Sequence, residues 1–223
     1  MHYDTRIPRS HGLPHDPFKA LVVPRPIGWV ATRSADGVLN LAPYSFFNGI
    51  SDAPPMVAFS VAGHKDTLRN VQATGEFTCS LATWALRDAM NMSSAAVAPQ
   101  VDEFQLAGLT PAASRLVTVP RVAESPAALE CTLWQTIALP PAKPGAALHY
   151  TLVIGHVVGV HIDDACLRDG RVDIGALKPL ARLGYMDYAV VTPESLFSLN
   201  RPLASPDGLS AEVPPGEWDG VFR

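Results

Sequence analysis

Cysteine is scarce in this sequence, and so are charged side chains. The three cysteines, Cys79, Cys131 and Cys166, are widely spaced and form no C-x-x-C pair. This spacing argues against a disulfide scaffold and against a cysteine-based zinc site. Charged residues make up only 17% of the chain, and the formal net charge is −4. We therefore expect no binding to nucleic acid and no attraction to an acidic membrane surface.

Long apolar runs and the motifs of several large enzyme classes are also absent. No run approaches the roughly 20 apolar residues that a membrane span needs, and the N-terminal MHYDTRIPRSHG has no apolar core of a signal peptide. We therefore expect a cytoplasmic protein. The sequence has no G-x-G-x-x-G turn and no G-x-S-x-G elbow, so neither a Rossmann dinucleotide domain nor an α/β-hydrolase is predicted.

Proline is abundant, with 21 residues, and 48% of the chain is hydrophobic. Many prolines favour turns over long helices, so we predict a mainly β fold with a few short helices. The length of 223 residues fits one domain with appendages. We predict an N-terminal arm over residues 1–17, a central domain over 18–200 and a C-terminal tail over 201–223.

The most informative stretch runs from Val23 to Asn70. Its two apolar runs, Ile27–Thr32 and Val38–Tyr44, are joined through Asp36-Gly37, a dipeptide that accepts the positive φ of a tight turn. This pattern predicts a β-hairpin. A third apolar run, Met56–Val61, predicts a further strand.

A helix is predicted to begin at His64-Lys65-Asp66-Thr67, because Leu68 and Val71 follow with helical spacing. The first N–H groups of a helix have no partner within it and carry partial positive charge, so they attract anions. Lys65 adds a full charge and Thr67 a hydroxyl group. The alternative is that Asp66 or Thr67 caps an ordinary surface helix and that Lys65 is solvated.

Further elements follow from the same periodicities. The segments predicted are a strand over Glu76–Ala82, a helix over Trp84–Met92, two long strands over Ala127–Leu139 and Leu148–Ile162, and a short closing segment over Leu177–Tyr188. Residues 93–126 form a long polar, proline-containing excursion with the apolar residues Phe104, Leu106 and Leu109. Such a stretch in a compact domain usually covers something.

The order of many short motifs resembles the flavin reductase-like family of FMN-binding split barrels, in particular its flavoredoxin-type branch. The motifs, spread over residues 18–192, are RPIGWVAT, NLAPYSFFNGISDAPPMVAFS, KDTLRN, EFTCSLA, DEFQLAGLTP, PRVAESPAALEC, HYTLVIGHVVGVHID and LARLGYMDY. The resemblance implies a split β-barrel with Greek-key-like strand order. It also implies an FMN-binding oxidoreductase that passes reducing equivalents from NAD(P)H through the flavin to an acceptor. The alternatives are a non-catalytic FMN electron carrier and a barrel without flavin.

A flavin needs an apolar slot, polar groups at its pyrimidine edge, and a cationic or helix-terminal cradle for its phosphate. By resemblance, residues around the hairpin would line the isoalloxazine ring, and residues near the predicted helix would contact the ribityl chain and phosphate. The ring candidates are Trp29, Asn40, Ala42, Pro43, Tyr44, Ser45 and Phe46, and the phosphate candidates are Thr32, Ser60, Lys65 and Thr67. Pro43 lacks an N–H group, so we expect strand pairing to end there. For Trp29, Tyr44, Phe46 and Phe47 the alternative is plain core packing.

Two further candidates come from the C-terminal half. By resemblance, Arg182 in the closing RLGYMDY motif approaches the phosphate or the flavin edge, although Tyr185 stands where many relatives have glycine. Arg182 as a solvated or ion-paired residue is the alternative. By resemblance, His149 is the catalytic candidate that positions flavin and nicotinamide, and the alternative is an ordinary strand residue.

Three histidines, His149, His156 and His161, follow one another in the same predicted strand. On an extended strand, His149 and His161 lie roughly 40 Å apart, and His156 points to the other face. They cannot share one ion on a straight strand, so we expect no metal.

A homodimer is expected as the working unit. A split barrel leaves part of its flavin slot open, and residues 93–126 and the Trp218–Phe222 tail carry apolar groups that a lone barrel has little reason to expose. By resemblance, a second subunit closes the cofactor site. The alternative is that these segments fold back on their own barrel and that the protein is a monomer. NAD(P)H and a small-molecule or protein electron acceptor would be the other partners.

Overall fold

The computed structural model describes residues 1–143, 145–146 and 149–221 and consists mainly of strands. The strands are β1 Arg25–Pro26, β2 Gly28–Arg33, β3 Leu39–Tyr44, β4 Phe47–Asp52, β5 Pro55–Ala62, β6 Glu76–Leu81, β7 Pro111–Ala112, β8 Arg121–Val122, β9 Ala127–Ala138, β10 Tyr150–Ile162, β11 Leu167–Arg168, β12 Arg171–Val172, β13 Leu180–Arg182, β14 Tyr188–Val190, β15 Leu203–Ala204 and β16 Ala211–Glu212. The α-helices are α1 Phe18–Leu21, α2 Asp66–Thr74, α3 Arg87–Met92, α4 Glu103–Leu106 and α5 Ile174–Leu177. Short 3₁₀ turns occupy Trp84–Leu86, Asp164–Cys166 and Pro193–Ser195. The mainly β prediction is confirmed.

Seven strands form one antiparallel sheet in the order β3-β2-β6-β9-β10-β5-β4. β3 and β4 occupy opposite edges of this sheet, yet only Ser45 and Phe46 separate them along the chain. So short a connection spans no more than about 11 Å, and the Ser60 N–H donates to the Phe46 carbonyl at 2.9 Å. The two edges therefore meet at this point, and the sheet is curled into a barrel.

The predicted hairpin is present as β2 and β3, with Gly37 at φ +88° in the turn. Pro43 does not end the pairing as expected, because β3 continues to Tyr44, which lies opposite Gly28. β3 is an edge strand, and an edge strand tolerates a proline that cannot donate to the ladder.

β2 is buried on both faces, and its alternating side chains enter two different hydrophobic clusters. Val30 points into the barrel interior with Phe59 and Phe77, whereas Trp29 packs outside the barrel with Phe104. The outer cluster is covered by the excursion over residues 93–126, which contributes Phe104, Leu109, Val117, Val119 and Val122. The expectation that this excursion covers something is correct.

The same observation corrects part of the argument for a dimer. Phe104 and Leu109 are buried within their own chain rather than exposed for a partner, whereas Val101, Leu106 and Leu116 of the same excursion are exposed. In the tail, Trp218 is half-buried with Arg171 5.9 Å from its ring centre, and Val221 is exposed. Phe222 lies outside the described residues, as does Leu148 at the start of the predicted strand.

The predicted helix over Trp84–Met92 is interrupted. A 3₁₀ turn over Trp84–Leu86 precedes α3, and Leu86 and Ala89 still pack with Met90 against the outer cluster, as the spacing predicted. Among the described residues, no helix is long and apolar enough to cross a membrane.

Two strand glycines provide a matched test of barrel packing. A Cβ atom at Gly155 in β10 would overlap the ring of Phe77 in the barrel interior, whereas one at Gly49 in β4 would meet no atom within 4 Å. We expect Gly155→Ala to lower the free energy of unfolding by about 1–3 kcal/mol, because overpacking forces neighbouring groups to move. Gly49→Ala should change it by less than about 1 kcal/mol. Urea unfolding of both variants measures the difference, and equal effects would contradict this packing.

Candidate functional site

Two cavities lie on either side of the C-terminal end of β3. Strand alternation directs Asn40, Ala42 and Tyr44 to the first cavity and Pro43 and Ser45 to the second. The first has a volume of about 330 Å³ and the second about 310 Å³. Ser94, in the segment after α3, lines both.

The first cavity joins β3 to the start of α2. Its wall consists of Asn40, Ala42, Tyr44, His64, Lys65, Asp66, Thr67, Ser93, Ser94, Ala95, Ala96, Val97, Pro99 and Glu103. Lys65 precedes the helix in an extended conformation, with φ −94° and ψ 159°, and makes no side-chain cap hydrogen bond. The nine-residue helix therefore begins at the cavity wall without a side chain occupying its first N–H groups, which is the arrangement that favours an anion.

A buried carboxylate fixes β3 beside this cavity. Glu103, at the start of α4, is only 5% exposed, and both of its oxygens accept hydrogen bonds from Asn40 Nδ2 at 3.1 Å. The Leu41 N–H donates to Glu103 Oε2 at 3.0 Å. Burial raises the pKa of Glu103, while the hydrogen bonds from Leu41 and Asn40 act in the opposite direction. The carboxyl group thus ties α4 to the edge strand that carries the cavity wall.

The Asn40 amide extends this network towards α2. Its Oδ1 atom accepts from Thr67 Oγ1 at 2.8 Å and from Thr32 Oγ1 at 3.2 Å. Asn70 Nδ2 in turn donates to Thr32 Oγ1 at 3.1 Å. Both edges of the Asn40 amide are therefore engaged, and its side chain holds the start of α2 against β3.

Tyr44 differs from its neighbours because its buried hydroxyl group has no hydrogen-bond partner among the described residues. Burial raises the pKa of Tyr44 to about 12, while the neighbouring Thr67 side chain acts in the opposite direction. The phenol is therefore protonated at neutral pH and carries an O–H donor. A buried donor without a partner costs free energy. A polar ligand in the cavity that Tyr44 lines would satisfy it.

Several sequence candidates do not reach the cavities. Trp29 and Thr32 have no exposed surface, and Trp29 Nε1 donates to Ser93 Oγ at 2.9 Å. Trp29 belongs to the outer hydrophobic cluster, as the core-packing alternative predicted. Thr32 donates to the Asn40 side chain and lines neither cavity. Ser60 and Phe46 are half-buried outside both cavity walls, and the Phe46 ring lies 6.1 Å from that of Tyr150.

His149 lies immediately before β10 and is half-buried. Its ring centre is 5.4 Å from that of His64, in an edge-to-face arrangement, and the Gly63 N–H donates to its carbonyl at 2.9 Å. His149 itself does not line the first cavity, but His64 does. No group of three or more His, Cys, Asp or Glu side chains suited to a metal ion occurs within the described ranges.

The second cavity is cationic. Arg182 lines it together with Lys19 and Arg25, so within one chain Arg182 and Lys65 line different cavities. The Arg182 guanidinium lies 4.4 Å from the Tyr188 ring centre and donates to the Tyr185 carbonyl at 2.5 Å. Tyr185 has φ +52°, a conformation that glycine adopts most easily. Glycine is the residue that the related motif has at this position.

Sequence reasoning missed several residues of these walls, among them Lys19 and Arg25 in the second and Ser93, Ser94 and Glu103 in the first. Ser93 and Ser94 follow a short helix without any motif of their own, and Glu103 lies within the DEFQLAGLTP motif but was read only as part of a covering loop. The available signal for Glu103 was its position next to Phe104. If Phe104 is buried, its neighbour can be buried too, and a buried carboxylate rarely lacks a hydrogen-bond partner.

The residues present fit a phosphorylated ring ligand. The first cavity offers an uncapped helix start with Lys65 and a Tyr44 hydroxyl without a partner among the described residues. The hydroxyl groups of Ser93 and Ser94 donate to the carbonyls of Met90 and Asn91. The edge of β3 adds the small side chain of Ala42 beside the backbone. These are the cradle and the shaped slot that a flavin mononucleotide requires.

Comparisons with known proteins agree with this geometry. The family model described as "Flavin reductase like domain" matches residues 20–185. A protein of Halalkalibacterium halodurans, described as uncharacterized, is 38% identical over 189 residues, which covers 82% of this chain and 88% of that protein.

Solved structures show the same fold. Nitrilotriacetate monooxygenase component B from Bacillus cereus has 32% identity and a TM-score of 0.77, covering 89% of this chain and all of that one. Flavoredoxin of Desulfovibrio vulgaris has 27% identity and a TM-score of 0.68, covering 76% of this chain and 88% of that one. The expected split barrel is thereby confirmed, and the chain belongs to the flavin reductase-like family.

Proposed function

We propose that the protein binds FMN non-covalently in the first cavity and acts as an oxidoreductase of flavin-reductase type. The observation that carries the proposal is the uncapped start of α2, with Lys65, opening onto a cavity walled by the edge strand β3. Membership of the flavin reductase-like family supports the flavin. The first cavity has a cradle for one phosphate at the start of α2, which favours FMN there over a dinucleotide.

The protein's part in this chemistry is to bind and orient. When bound, a flavin supplies hydride and electron transfer by itself. The N–H groups at the start of α2 and Lys65 would hold the phosphate, the Ala42–Tyr44 backbone would shape the ring slot, and the Tyr44 hydroxyl would donate to the ligand. No side chain has to act as an acid or base, which accords with the absence of a dyad or triad in the sequence.

NAD(P)H is the proposed electron donor, entering as a substrate because the sequence has no Rossmann motif. His149, placed against His64 beside the first cavity, is proposed to help to position it. Consumption of NADH or NADPH by the FMN-loaded protein tests whether NAD(P)H is the electron donor. If the flavin binds but neither nucleotide is consumed, the protein is instead an FMN electron carrier.

FMN binding has a direct signature and a sharp test at Lys65. We expect the purified protein to bind FMN, with visible flavin absorption that denaturation releases into solution. Lys65→Ala removes a charge-assisted hydrogen bond worth about 1.5–3 kcal/mol, so the affinity for FMN should fall roughly tenfold to a hundredfold. Riboflavin has no phosphate, and its affinity should hardly change. Titrations followed by flavin fluorescence measure both ligands.

Arg168→Ala is the matched control, because Arg168 lies in the small hairpin of β11 and β12 and lines neither cavity. It removes one positive charge from the protein without touching the cradle. Equal losses for FMN and riboflavin in Lys65→Ala would mean that the substitution acts through folding. A protein that shows no FMN titration at all would disprove the proposed function.

A homodimer remains part of the proposal, now for a different reason. Trp134 in β9 and Val158 and Val160 in β10 are exposed, and Trp134 is 55% exposed. β9 and β10 are central strands of the seven-stranded sheet. Exposed apolar groups on central strands are typical of a surface that a second subunit covers.

Trp134→Glu tests this surface. Placing a charge in an apolar interface is costly, so we expect the wild-type protein to have the mass of two chains and the variant that of one chain at micromolar concentration. Light scattering measures both. A wild-type mass of one chain with FMN fully bound would refute the dimer, and an unchanged dimer in the variant would place the interface elsewhere.

A further inference from the structure

The second cavity gathers three positive charges that no carboxylate balances. Lys19, Arg25 and Arg182 line it together. Across the described parts of the chain, the ion pairs within 4.0 Å are Arg6–Asp4, Arg69–Asp66, Arg87–Asp88 and Arg168–Asp173. None of them involves a cation of this cavity. Lys19 is exposed and its charge is screened by solvent, whereas Arg25 is buried. Like charges repel one another, so an anion in the cavity would offset the repulsion between Arg25 and Arg182.

Arg25 is the most constrained of the three. It is 6% exposed, and its guanidinium group donates to the carbonyls of Lys19 at 2.6 Å, Val22 at 2.7 Å and Leu183 at 2.8 Å. These bonds fix its position, yet its Nε atom is buried and has no partner among the described residues. Burial, together with the nearby charge of Arg182, lowers the pKa of Arg25. An arginine nevertheless keeps its charge at any physiological pH.

Arg182 is the second arginine in the wall of this cavity. Its guanidinium group packs over the ring of Tyr188, and stacking of this kind leaves the N–H groups at the edge of the guanidinium plane to bind oxygen atoms. Planar guanidinium groups recognise carboxylates and phosphates through paired hydrogen bonds. Two such groups in one cavity therefore select an oxyanion.

The remaining wall is mixed. Ile27, Pro43, Met90, Leu183 and Met186 supply apolar surface beside the charged groups, and Ser45, Asn91 and Ser94 supply polar groups. Inorganic anions gain nothing from the apolar part of this wall, whereas an organic acid or a phosphate ester buries its carbon skeleton there. The cavity lies on the opposite side of β3 from Lys65, so it is separate from the proposed phosphate cradle.

We propose that the second cavity binds an oxyanion group, a carboxylate or a phosphate, of the organic molecule that exchanges electrons with the flavin. The electron exchange rests on the proposed function. The binding of the oxyanion does not, because Lys19, Arg25 and Arg182 lie in the cavity whether or not FMN is bound across β3.

Calorimetric titration of the full-length protein tests the site with two probes, benzoate and inorganic phosphate. The titrations use FMN-saturated wild-type protein and, in parallel, the flavin-free Lys65→Ala variant, whose phosphate cradle lacks the lysine charge and keeps only the N–H groups of α2. We expect at least one probe to bind. Arg182→Gln should weaken it about tenfold or more, because a charge-assisted hydrogen bond is lost. Arg182→Lys keeps the charge but not the planar fork, and should be intermediate.

Arg168→Gln is the control and should bind both probes as the wild type does. Benzoate binding identifies a carboxylate-bearing substrate, and binding of phosphate alone identifies a phosphate ester such as a nicotinamide nucleotide. Two results would overturn the proposal: neither probe binds, or Arg182→Gln binds as tightly as the wild type. A third result would also overturn it: if Arg182→Gln lost as much affinity for FMN as for the probe, Arg182 would belong to the flavin site. If FMN itself fails to bind, only the proposed function is lost, and the flavin-free titration still decides the oxyanion site.

Discussion

The geometry of the first cavity depends on one buried interaction, the hydrogen bonds that the Glu103 carboxylate accepts from Asn40 and from the Leu41 N–H. β3 is an edge strand, with a neighbour on one side only, so part of its backbone would otherwise lack partners. Glu103 supplies one from outside the sheet. Because the Asn40 amide oxygen also accepts from Thr67, the same contact sets the distance between β3 and the start of α2.

Burying the Glu103 carboxylate costs desolvation free energy, but its charge also affects where an anion can bind in the first cavity. Burying it unpaired would be prohibitive, and the Asn40 amide and Leu41 N–H offset that cost. The negative charge lies in the wall of the first cavity, where Lys65 stands opposite it at the helix start. The cradle is therefore not a simple cationic patch. The N–H groups of α2 and Lys65 attract an anion at the helix start, and the Glu103 carboxylate disfavours one beside β3.

Sequence reasoning located the first cavity well because its determinants are local. The hairpin turn at Gly37 and the helix start after Lys65 are each encoded by a few consecutive residues. Asn40, Ala42, Tyr44 and Lys65 could therefore be placed near one another from the sequence. Thr32 and Trp29 lie in the same strand, but their burial depends on the excursion that packs Phe104 over the barrel, and no local pattern encodes that packing. The second cavity joins residues near 25 and near 182, which meet only because β1 pairs with β13. Such long-range pairing of two very short strands leaves almost no periodic signal.

That same pairing explains why the N-terminal end of the domain matters to the site. Gly184 lies against Ala20 so closely that a Cβ atom at Gly184 would overlap it, and this contact brings α1 onto the turn between β13 and β14. The carbonyls of Lys19 and Val22 then reach Arg25, while the left-handed conformation of Tyr185 directs its carbonyl to Arg182. Each arginine is thus held by backbone oxygens and not by an acidic side chain. A backbone carbonyl orients a guanidinium group without cancelling its charge, so the arrangement keeps the cavity both ordered and positive.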